Sequence, residues 1–528
     1  MRAGRARAAR VLLPLLIVAA AAALRFWHLE TVPLGLHGDE AVTGMDAQRA
    51  LRDGWIGPYL YPSALGQPAG PVYLTALLLR WLPQTTATLR GSMAVFGVAT
   101  VALTYAAGRV MFGHAVGLLA AALLTALPWH LHLSRTAFMV NAWPAVQMAA
   151  LWLLFVARRA RGPRRFTLYA AFGATAGLGI YSYNAFVLSL PLLTVPFVYD
   201  LRAARRSYVH TLMSWALAGL IAAAATLPML DYVRTHEEFF WHQQEVGVVH
   251  TPAWQAATWP GRIGMLAARG GEWTRGLLIG GRPDDGDGLG DAGYPLLDPL
   301  TALLAVAGVT TAVRRWRNAA HGVLLVGLLT LPWGALLTIE DGLYRRTYAL
   351  APLLCLLGAL PVVALWRRAT RTTRRRVGRG ARAVVLGALA LAAAHNAYRY
   401  FGPLQDTEEM RYVFPYQVDA AARFIATLPP GRVVYWQSER WPANYETRRW
   451  LAPAATVIEQ SAEFDPAPCD VQPDVVMLLG TYIDRAAEWQ AHYPGGRWYS
   501  EERAGEVLFR AYVVVPDRTH SADSDHGR

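Results

Sequence analysis

The sequence predicts an all-α polytopic membrane protein with about eleven transmembrane helices, additional interfacial helices and a small C-terminal extracytoplasmic α/β domain. Three observations support this fold class. Of the 528 residues, 54% are hydrophobic and only 16% are charged, whereas soluble domains carry about 25% charged residues. Apolar stretches of membrane length recur as far as residue 397. Beyond that residue the hydropathy falls, and short helical and strand patterns alternate.

The predicted spans follow from the length of each apolar stretch, because a helix needs about 20 such residues to cross a bilayer. They lie at 11–29, 92–110, 114–132, 140–157, 166–182, 184–200, 210–230, 296–313, 319–338, 347–366 and 383–397. Arginine-rich segments alternate with the spans at 2–10, 158–165, 202–206, 314–317 and 367–382. The positive-inside rule places these segments and the N-terminus in the cytoplasm. The predicted location is the cell membrane (plasma or inner membrane). The loops 30–91, 231–295 and 339–346 are then predicted to lie outside, as are all residues after 397.

Two apolar segments need separate treatment. Residues 72–82 form a run too short to cross, and Arg80 with Trp81 suits the headgroup region, so we predict an interfacial helix there. The first segment resembles a cleaved signal peptide over 1–24 in having a basic start and an apolar middle. The sequence Arg25-Phe26-Trp27 directly afterwards is typical of an interfacial anchor, which favours a retained span.

The predicted domains are a transmembrane domain at 1–397, an α/β domain at 398–516 and a disordered tail at 517–528. In the α/β domain the patterns predict helices at 418–428, 444–452 and 483–493. They predict strands at 432–437, 474–480 and 506–515. This domain has no glycine-rich phosphate loop and no Cys/His cluster, so the sequence assigns it no chemistry.

Several function classes are excluded or disfavoured by composition. The net charge is +13, but the arginines lie between apolar runs, which argues against nucleic-acid binding. The two cysteines, Cys355 and Cys469, supply neither a disulfide framework nor metal-ligand spacing. The acidic segment 282–291 resembles a calcium loop, yet Leu289 stands where that loop needs an oxygen ligand. A solvated turn is therefore the preferred interpretation.

Polar residues from distant parts of the chain are predicted to meet near the outer membrane surface, which is how multi-span proteins build sites. They are Asp39, Glu40, His130, His132, Arg135, Asn141, Tyr181, Tyr183, Asn184, Glu340, Asp341, Tyr344, Arg345 and Arg346. Each has a structural alternative. Asp39 is a good helix N-cap, the arginines could anchor in headgroups, and the tyrosines could belong to the aromatic belt.

One motif is more specific. The stretch HGDEAVTGMDAQRALRDG, residues 37–54, is followed by YPSALGQPAGPVYL, residues 61–74. Together they resemble the first external loop of GT-C fold glycosyltransferases that use lipid phosphosugars. These include protein O-mannosyltransferases, the aminoarabinose transferases of lipid A, and other relatives of glycosyltransferase family 39. In that group an Asp-Glu pair begins a helix lying along the membrane. Weaker similarity at 109–124, 132–144, 177–186 and 341–352 extends the resemblance over about 1–366.

The resemblance implies a donor sugar on a polyprenyl phosphate and a hydroxyl acceptor on a protein, a lipid or an envelope glycan. It implies that Asp39 is the general base of an inverting hexosyl or pentosyl transfer, with Glu40 orienting the loop or touching the acceptor. Arg345 and Arg346, with Arg135 as a weaker third, are the expected donor phosphate-binding residues. The expected substrate-binding residues are His37, Asn141, Tyr181, Tyr183 and Tyr344. No metal or other cofactor is expected, because arginines can balance the phosphate charge.

The sequence departs from this group at Asn141, where many relatives carry a second acid. Two other functions stay open. A transporter or lipid flippase would predict inverted repeats and interrupted spans at mid-membrane, and no internal repeat is evident. A non-catalytic scaffold would explain the large external segments but not the Asp-Glu loop.

Overall fold

Two compact units make up the part of the chain that the computed structural model describes, residues 2–61, 66–203, 208–280, 289, 294–339, 344–372, 375–460, 472–503 and 505–514. The first unit contains the residues up to Pro33 and Asp46–Val413, and the second contains Leu34–Met45 and the residues from Phe414 onward. The predicted boundary at 397/398 therefore differs from the observed one. The reason is that the turn after the last long helix still packs on the first unit, where Gln405 Nε2 donates to the Tyr400 carbonyl at 2.8 Å.

Helices form nearly all of the first unit. They are α1 (Arg2–Phe26), α2 (Gly38–Asp53, whose first turns belong to the second unit), α3 (Gly70–Leu79), α4 (Thr86–Phe112), α5 (His114–Ala126), α6 (Pro128–Leu133), α7 (Ala142–Ala157), α8 (Pro163–Leu178), α9 (Leu190–Ala203), α10 (Tyr208–Thr235), α11 (Glu238–Val246), α12 (Pro252–Ala256), α13 (Trp259–Leu278), α14 (Pro299–Arg314), α15 (Ala319–Thr330), α16 (Trp333–Leu336), α17 (Ala351–Thr372), α18 (Arg375–Phe401) and α19 (Glu408–Val413). Short 3₁₀ segments lie at Met139–Asn141, Gly179–Tyr181, Asn184–Ser189, Val248–His250, Arg345–Leu350 and Pro403–Asp406. A two-residue antiparallel pair joins β1 (Tyr59–Leu60) to β2 (Gln67–Pro68).

Six helical stretches in the described residues are long and apolar enough to cross a membrane. They are Thr86–Phe112, Met139–Ala157, Asn184–Ala203, Tyr208–Thr235, Ala319–Leu336 and Arg345–Arg368, and each overlaps a predicted span. The chain is thus a multi-pass membrane protein. The predicted spans at 114–132, 166–182 and 296–313 coincide with shorter helices, and those at 11–29 and 383–397 with long helices rich in arginine. The count of eleven stays a prediction.

Small residues bring neighbouring helices of the first unit close together. Gly173 and Gly177 on α8 face Ala218 and Ala222 on α10, and a Cβ at either glycine would overlap the α10 backbone. Such small-residue seams replace the hydrophobic effect as the basis of helix association inside a membrane.

The segment predicted at 72–82 is the helix α3, which has ten residues. Its length is about 15 Å at 1.5 Å per residue, against a hydrocarbon thickness of about 30 Å. A helix of this length does not cross a bilayer, in agreement with the prediction.

The second unit is an α/β domain with one mixed sheet in the order β4-β3-β5-β7-β6. Its strands are β3 (Val433–Gln437), β4 (Thr456–Glu459), β5 (Val475–Leu478), β6 (Arg497–Arg503) and β7 (Glu506–Val513). Its helices are α20 (Tyr416–Ala426), α21 (Glu446–Leu451) and α22 (Ala486–His492), with a 3₁₀ segment at Gly480–Arg485. Strand β3 is parallel to β4 and β5, whereas β7 is antiparallel to β5 and β6.

Alternation along the strands builds a core on each face of this sheet. Val434 and Trp436 pack in one hydrophobic cluster, and Tyr435 between them packs in the other with Trp489. All six predicted elements of the domain are present. The sequence missed β4 and β6 because both are edge strands with mostly exposed or half-exposed residues and little apolar alternation.

Several predictions fall outside the described residues. They concern Glu340, Asp341, Cys469, the tail from 517 and, apart from Leu289, the acidic segment 282–291.

Candidate functional site

The Asp-Glu pair opens α2, and its two carboxylates have different surroundings. Helix α2 begins at Gly38, so His37 is the N-cap residue. Glu40 Oε2 accepts from the His37 backbone N–H at 3.0 Å, and His37 Nδ1 accepts from the Asp39 N–H at 3.0 Å. The Glu40 bond is the N3-to-N-cap bond of a capping box, and the His37 ring accepts from the N2 position, which an N-cap side chain can also reach. Capping is therefore the work of His37 and Glu40, and the alternative that Asp39 is the N-cap is wrong.

Asp39 and Glu40 also differ in their exposure to solvent. Glu40 is completely buried, whereas the Asp39 side chain is 50% exposed. A carboxylate in the first turn of a helix is stabilised by the macrodipole. Asp39 thus has a half-exposed carboxyl group at the helix start, and His37 and Glu40 cap the helix.

The geometry also assigns the tautomer of His37. The separation of 3.9 Å between His37 Nδ1 and Asp39 Oδ2 would be an ion pair only if the imidazole were protonated. Because Nδ1 accepts the Asp39 N–H, its lone pair is occupied and the ring proton sits on Nε2. His37 caps the helix through this contact, and its role in substrate binding stays a prediction.

Residues 34–45 are held by buried contacts within the second unit. Thr447 Oγ1, on α21, donates to the Leu36 carbonyl at 2.7 Å, and both residues are fully buried. A Cβ at Gly35 would lie 2.6 Å from the backbone of Phe414, and one at Gly44 would lie 2.6 Å from the Trp450 ring. The glycines of this loop allow its close approach to the α/β domain.

Tyr445 and Glu446 are neighbours of Asp39 that the sequence analysis missed. A Cβ built on Gly38 would lie 3.2 Å from Tyr445 Oη and 3.4 Å from Glu446 Oε2. Burial raises the pKa of Tyr445 to about 12, with further contributions from the negative charges of Glu446 and Asp39. The only local signal was Tyr-Glu at the start of a predicted helix, which is a common pattern and identifies no site.

The predicted phosphate-binding arginines Arg345 and Arg346 begin the 3₁₀ segment before α17 in the first unit, and both are partly exposed. The Arg345 guanidinium lies 4.6 Å from the centre of the Phe138 ring. Burial lowers the pKa of Arg269 on α13, and the charge of Arg346 lowers it further, while Glu272 opposes both. Arg269 and Arg346 are therefore close in space. Arg269 is a third cation of this region that the sequence analysis did not select.

Tyr344 precedes this arginine pair and packs against α13. Its hydroxyl occupies the space where a Cβ at Gly276 would be, and the side chain is 2% exposed. Trp273 Nε1, also on α13, donates to Thr347 Oγ1 at 3.2 Å. Tyr344 thus contributes to the packing that positions the arginines, a structural role distinct from its predicted contact with substrate.

Arg135 is bound by backbone carbonyls at the end of α1. It is fully buried, and its two terminal nitrogens donate to the carbonyls of Leu24, Arg25, Trp27, His28 and Val32 at 2.6–3.5 Å. These include carbonyls at the C-terminal end of α1, which have no partner within the helix. Arg135 thus compensates the end of α1, and its binding of the donor phosphate stays a prediction.

Asn141 is a buried structural residue as well. Its Nδ2 donates to the carbonyls of Leu133, Phe138 and Thr136 at 2.8, 2.9 and 3.1 Å. An aspartate has no hydrogen to donate and would direct a charged oxygen at these carbonyls. The amide at this position therefore fits the turn before α7 as an acid would not. Its predicted substrate contact stays a prediction.

The two tyrosines after α8 also take part in packing. The Tyr181 hydroxyl donates to the Ala225 carbonyl at 3.0 Å and accepts from the Met229 N–H at 3.2 Å. In a regular helix these two groups of α10 bond to each other, so Tyr181 bridges the turn that contains Pro228. Tyr183 stacks on Trp143 with ring centroids 5.8 Å apart.

Among the described residues no group of three or more His, Cys, Asp and Glu side chains is arranged to hold a metal ion. The expectation that the reaction needs no metal stays a prediction.

Solved structures with the same fold exist. No family model matches the sequence, and no curated protein sequence is detectably similar. Apo ArnT from Cupriavidus metallidurans aligns over 94% of this chain and 97% of its own, with a TM-score of 0.57 and 16% identity. ArnT bound to undecaprenyl phosphate aligns over the same shares with a TM-score of 0.55 and 15% identity.

A second solved protein is the oligosaccharyltransferase AglB from Archaeoglobus fulgidus, in complex with an inhibitory peptide and a dolichol-phosphate. It aligns over 96% of this chain and 74% of its own, with a TM-score of 0.52 and 14% identity. ArnT and AglB are both GT-C fold glycosyltransferases. The chain accordingly has the GT-C fold, as the first-loop motif predicted.

Proposed function

We propose that this protein is a membrane glycosyltransferase that moves a sugar from a polyprenyl-phosphate donor to a hydroxyl acceptor on the outer face of the membrane. The observation that carries the proposal is the placement of Asp39. Its carboxylate is half exposed at the start of α2, while His37 and Glu40 supply the cap. The GT-C fold and the lipid phosphates bound by ArnT and AglB support the substrate class.

The proposed step is an inverting displacement with Asp39 as general base. The Asp39 carboxylate takes the proton of the acceptor hydroxyl, and the acceptor oxygen forms a bond to the anomeric carbon. The bond between that carbon and the phosphate oxygen breaks, and its electron pair leaves with the lipid phosphate. A positioned base of this kind contributes about 10²- to 10⁴-fold to a rate.

Arg345 and Arg346 are the proposed stabilisers of the departing phosphate. Its charge grows in the transition state, and fixed cations placed there lower the barrier. A planar guanidinium can bind two phosphate oxygens at once. The stacking of Arg345 on Phe138 holds the group in a defined orientation, which reduces the entropy lost on binding.

The test uses purified protein in vesicles with a radiolabelled polyprenyl-phosphosugar and a panel of hydroxyl acceptors. We expect Asp39→Asn to reduce release of free lipid phosphate by about 10²-fold or more. Asp53→Asn is the matched control, because it neutralises an exposed acid at the other end of the same helix. Equal activity of the Asp39 variant and wild type would remove Asp39 from the mechanism.

The same assay tests the alternative function. A transporter or flippase would move the labelled lipid between leaflets in both variants without releasing lipid phosphate. That outcome would overturn the glycosyltransferase proposal altogether.

A further inference from the structure

The ends of four helices of the first unit meet in one polar network beside the arginine-rich segment 158–165. Asp200, near the end of α9, pairs with Arg158, which follows α7, and Arg158 Nη2 lies 2.7 Å from Asp200 Oδ1. Asp200 Oδ2 accepts from Tyr169 Oη on α8 at 3.4 Å and from Trp215 Nε1 on α10 at 3.1 Å. One carboxylate therefore joins α7, α8, α9 and α10, and Arg158 balances its charge.

Arg165, in the first turn of α8, is held in a defined orientation by α10. Its Nε donates to Ser214 Oγ at 3.0 Å, and its Nη2 donates to Thr211 Oγ1 at 3.3 Å. The guanidinium also lies 5.5 Å from the centre of the Tyr169 ring. Ser214 and Thr211 are buried, whereas Arg165 is half-buried. Within the described residues Nη1 has no hydrogen-bond partner, so its two N–H groups remain for a ligand.

An excess of positive charge surrounds this network. In the described segments 157–170, 195–203 and 208–216, the single acid is Asp200, and Arg158 is paired with it. The other arginines of these segments have no acidic partner among the described residues, and we call them the arginine patch: Arg159, Arg161, Arg164, Arg165 and Arg202. Three of them, Arg161, Arg164 and Arg202, are exposed. Like charges repel one another, so an anion bound at the patch would be stabilised by several of them at once.

Exposed apolar side chains adjoin the arginine patch. On α10, Val209 and Met213 are 64% and 54% exposed, and each lies within two residues of a side chain that binds Arg165. On α9, Val198 is exposed two residues before Asp200. Both helices belong to stretches that are long and apolar enough to cross a membrane. These side chains are therefore suited to contact lipid acyl chains directly beside the positive charges.

We propose that the arginine patch is a binding site for an anionic phospholipid. The lipid phosphate is bound by Arg165 and the exposed arginines, and the acyl chains lie along the apolar surfaces of α9 and α10. A soluble anion would meet the charges but leave the apolar surface unused, so the lipid satisfies both features. Basic pockets between transmembrane helices on the cytoplasmic side bind such headgroups, and the positive-inside rule predicts that side for the patch. This binding does not depend on the transfer reaction proposed above.

The experiment titrates the detergent-purified full chain with phosphatidylglycerol and measures bound lipid by native mass spectrometry. Parallel titrations use phosphatidylcholine with the same acyl chains and glycerol 3-phosphate, which has the phosphate without the chains. One arginine near anionic lipid contributes about fivefold to affinity, so we expect the double variant Arg161→Gln/Arg164→Gln to bind phosphatidylglycerol about 30-fold more weakly. Both side chains are exposed, so the contacts that join the helices are kept.

The matched control is the double variant Arg497→Gln/Arg503→Gln, which removes two exposed arginines from β6 of the α/β domain and should bind like wild type. Wild-type affinity in Arg161→Gln/Arg164→Gln would overturn the proposal. An equal loss in the control would also overturn it, because net charge alone would then explain the binding. Equal binding of phosphatidylcholine would show that the headgroup charge is not recognised, and equal binding of glycerol 3-phosphate would assign the patch to a soluble phosphate. Either result refutes an anionic phospholipid site.

Thermal unfolding gives a second measurement on the same preparations. A ligand that binds only the folded state raises the melting temperature. Phosphatidylglycerol should therefore raise the melting temperature of wild type and of the β6 control more than that of Arg161→Gln/Arg164→Gln. Equal shifts in all three proteins would contradict binding at the arginine patch.

Discussion

The attachment of the Asp39 loop to the α/β domain can be tested through one buried hydrogen bond. Thr447 Oγ1 donates to the Leu36 carbonyl at 2.7 Å, and neither residue is exposed to solvent. Thr447→Val replaces the hydroxyl by a methyl group of similar size, so the packing is kept and the carbonyl loses its partner. Leaving a buried acceptor unsatisfied costs about 1–3 kcal/mol.

The substitution lowers the free energy of local opening of residues 34–45 by this amount. An energy of that size multiplies the opening equilibrium about 5- to 150-fold, since 1.36 kcal/mol corresponds to a factor of ten. Amide hydrogen exchange followed by mass spectrometry measures this equilibrium segment by segment. We expect faster exchange in the peptide covering 34–45, and unchanged exchange in peptides from the central strands β5 and β7.

The matched control is Thr427→Val. Thr427 Oγ1 also donates to a backbone carbonyl, that of Phe424 at 2.6 Å, but the contact is exposed, and water can replace the hydroxyl. Thr447→Ser keeps the buried donor and should exchange like wild type. Equal exchange in Thr447→Val and wild type, or an equal acceleration in Thr427→Val, would refute the reasoning that the buried bond holds the loop.

Three further predictions concern the helix cap, the arginine pair and the buried amide. Glu40→Ala should destabilise the start of α2 by about 1 kcal/mol, whereas Glu40→Gln keeps an acceptor for the His37 N–H and should retain most activity; loss of activity in both would assign Glu40 a role in chemistry. Arg345→Ala should lower kcat/KM for the donor about 10- to 100-fold and leave the acceptor KM unchanged, and an unchanged donor kcat/KM in a titration with the phosphosugar would exclude a phosphate contact. Asn141→Asp should lower thermal stability by about 3 kcal/mol or more because it buries a charge against three carbonyls, as measured by the melting temperature in detergent; wild-type stability would show that the turn tolerates an acid.

The membrane spans and the elements of the α/β domain could be predicted because their signals are local. An apolar run of about 20 residues is sufficient to indicate a span, and a short uninterrupted apolar run indicates a buried strand such as β5. The first-loop motif predicted the GT-C fold for the same reason, since Asp39, Glu40 and their flanking glycines lie within one short stretch.

The roles of individual polar residues could not be predicted in this way. Arg135, Asn141 and Tyr181 are residue types that are common in binding sites. They lie near the ends of spans, as predicted. What decides their roles is which partner each side chain meets, and for all three it is a backbone carbonyl. No sequence pattern distinguishes an arginine that closes a helix end from one that binds phosphate.

The sequence by itself determined that this chain spans a membrane, where its α/β domain begins to form strands, and that an Asp-Glu pair opens the helix after the first apolar segment. Only the tertiary structure decided that Glu40 is a cap, that Asp39 remains half exposed, and that the loop carrying both belongs to the C-terminal unit. The physical reason is the range of the interactions. Hydropathy and helix capping act over a few residues, whereas the bond between Thr447 and Leu36 joins positions 411 residues apart, and no local pattern encodes such a pairing.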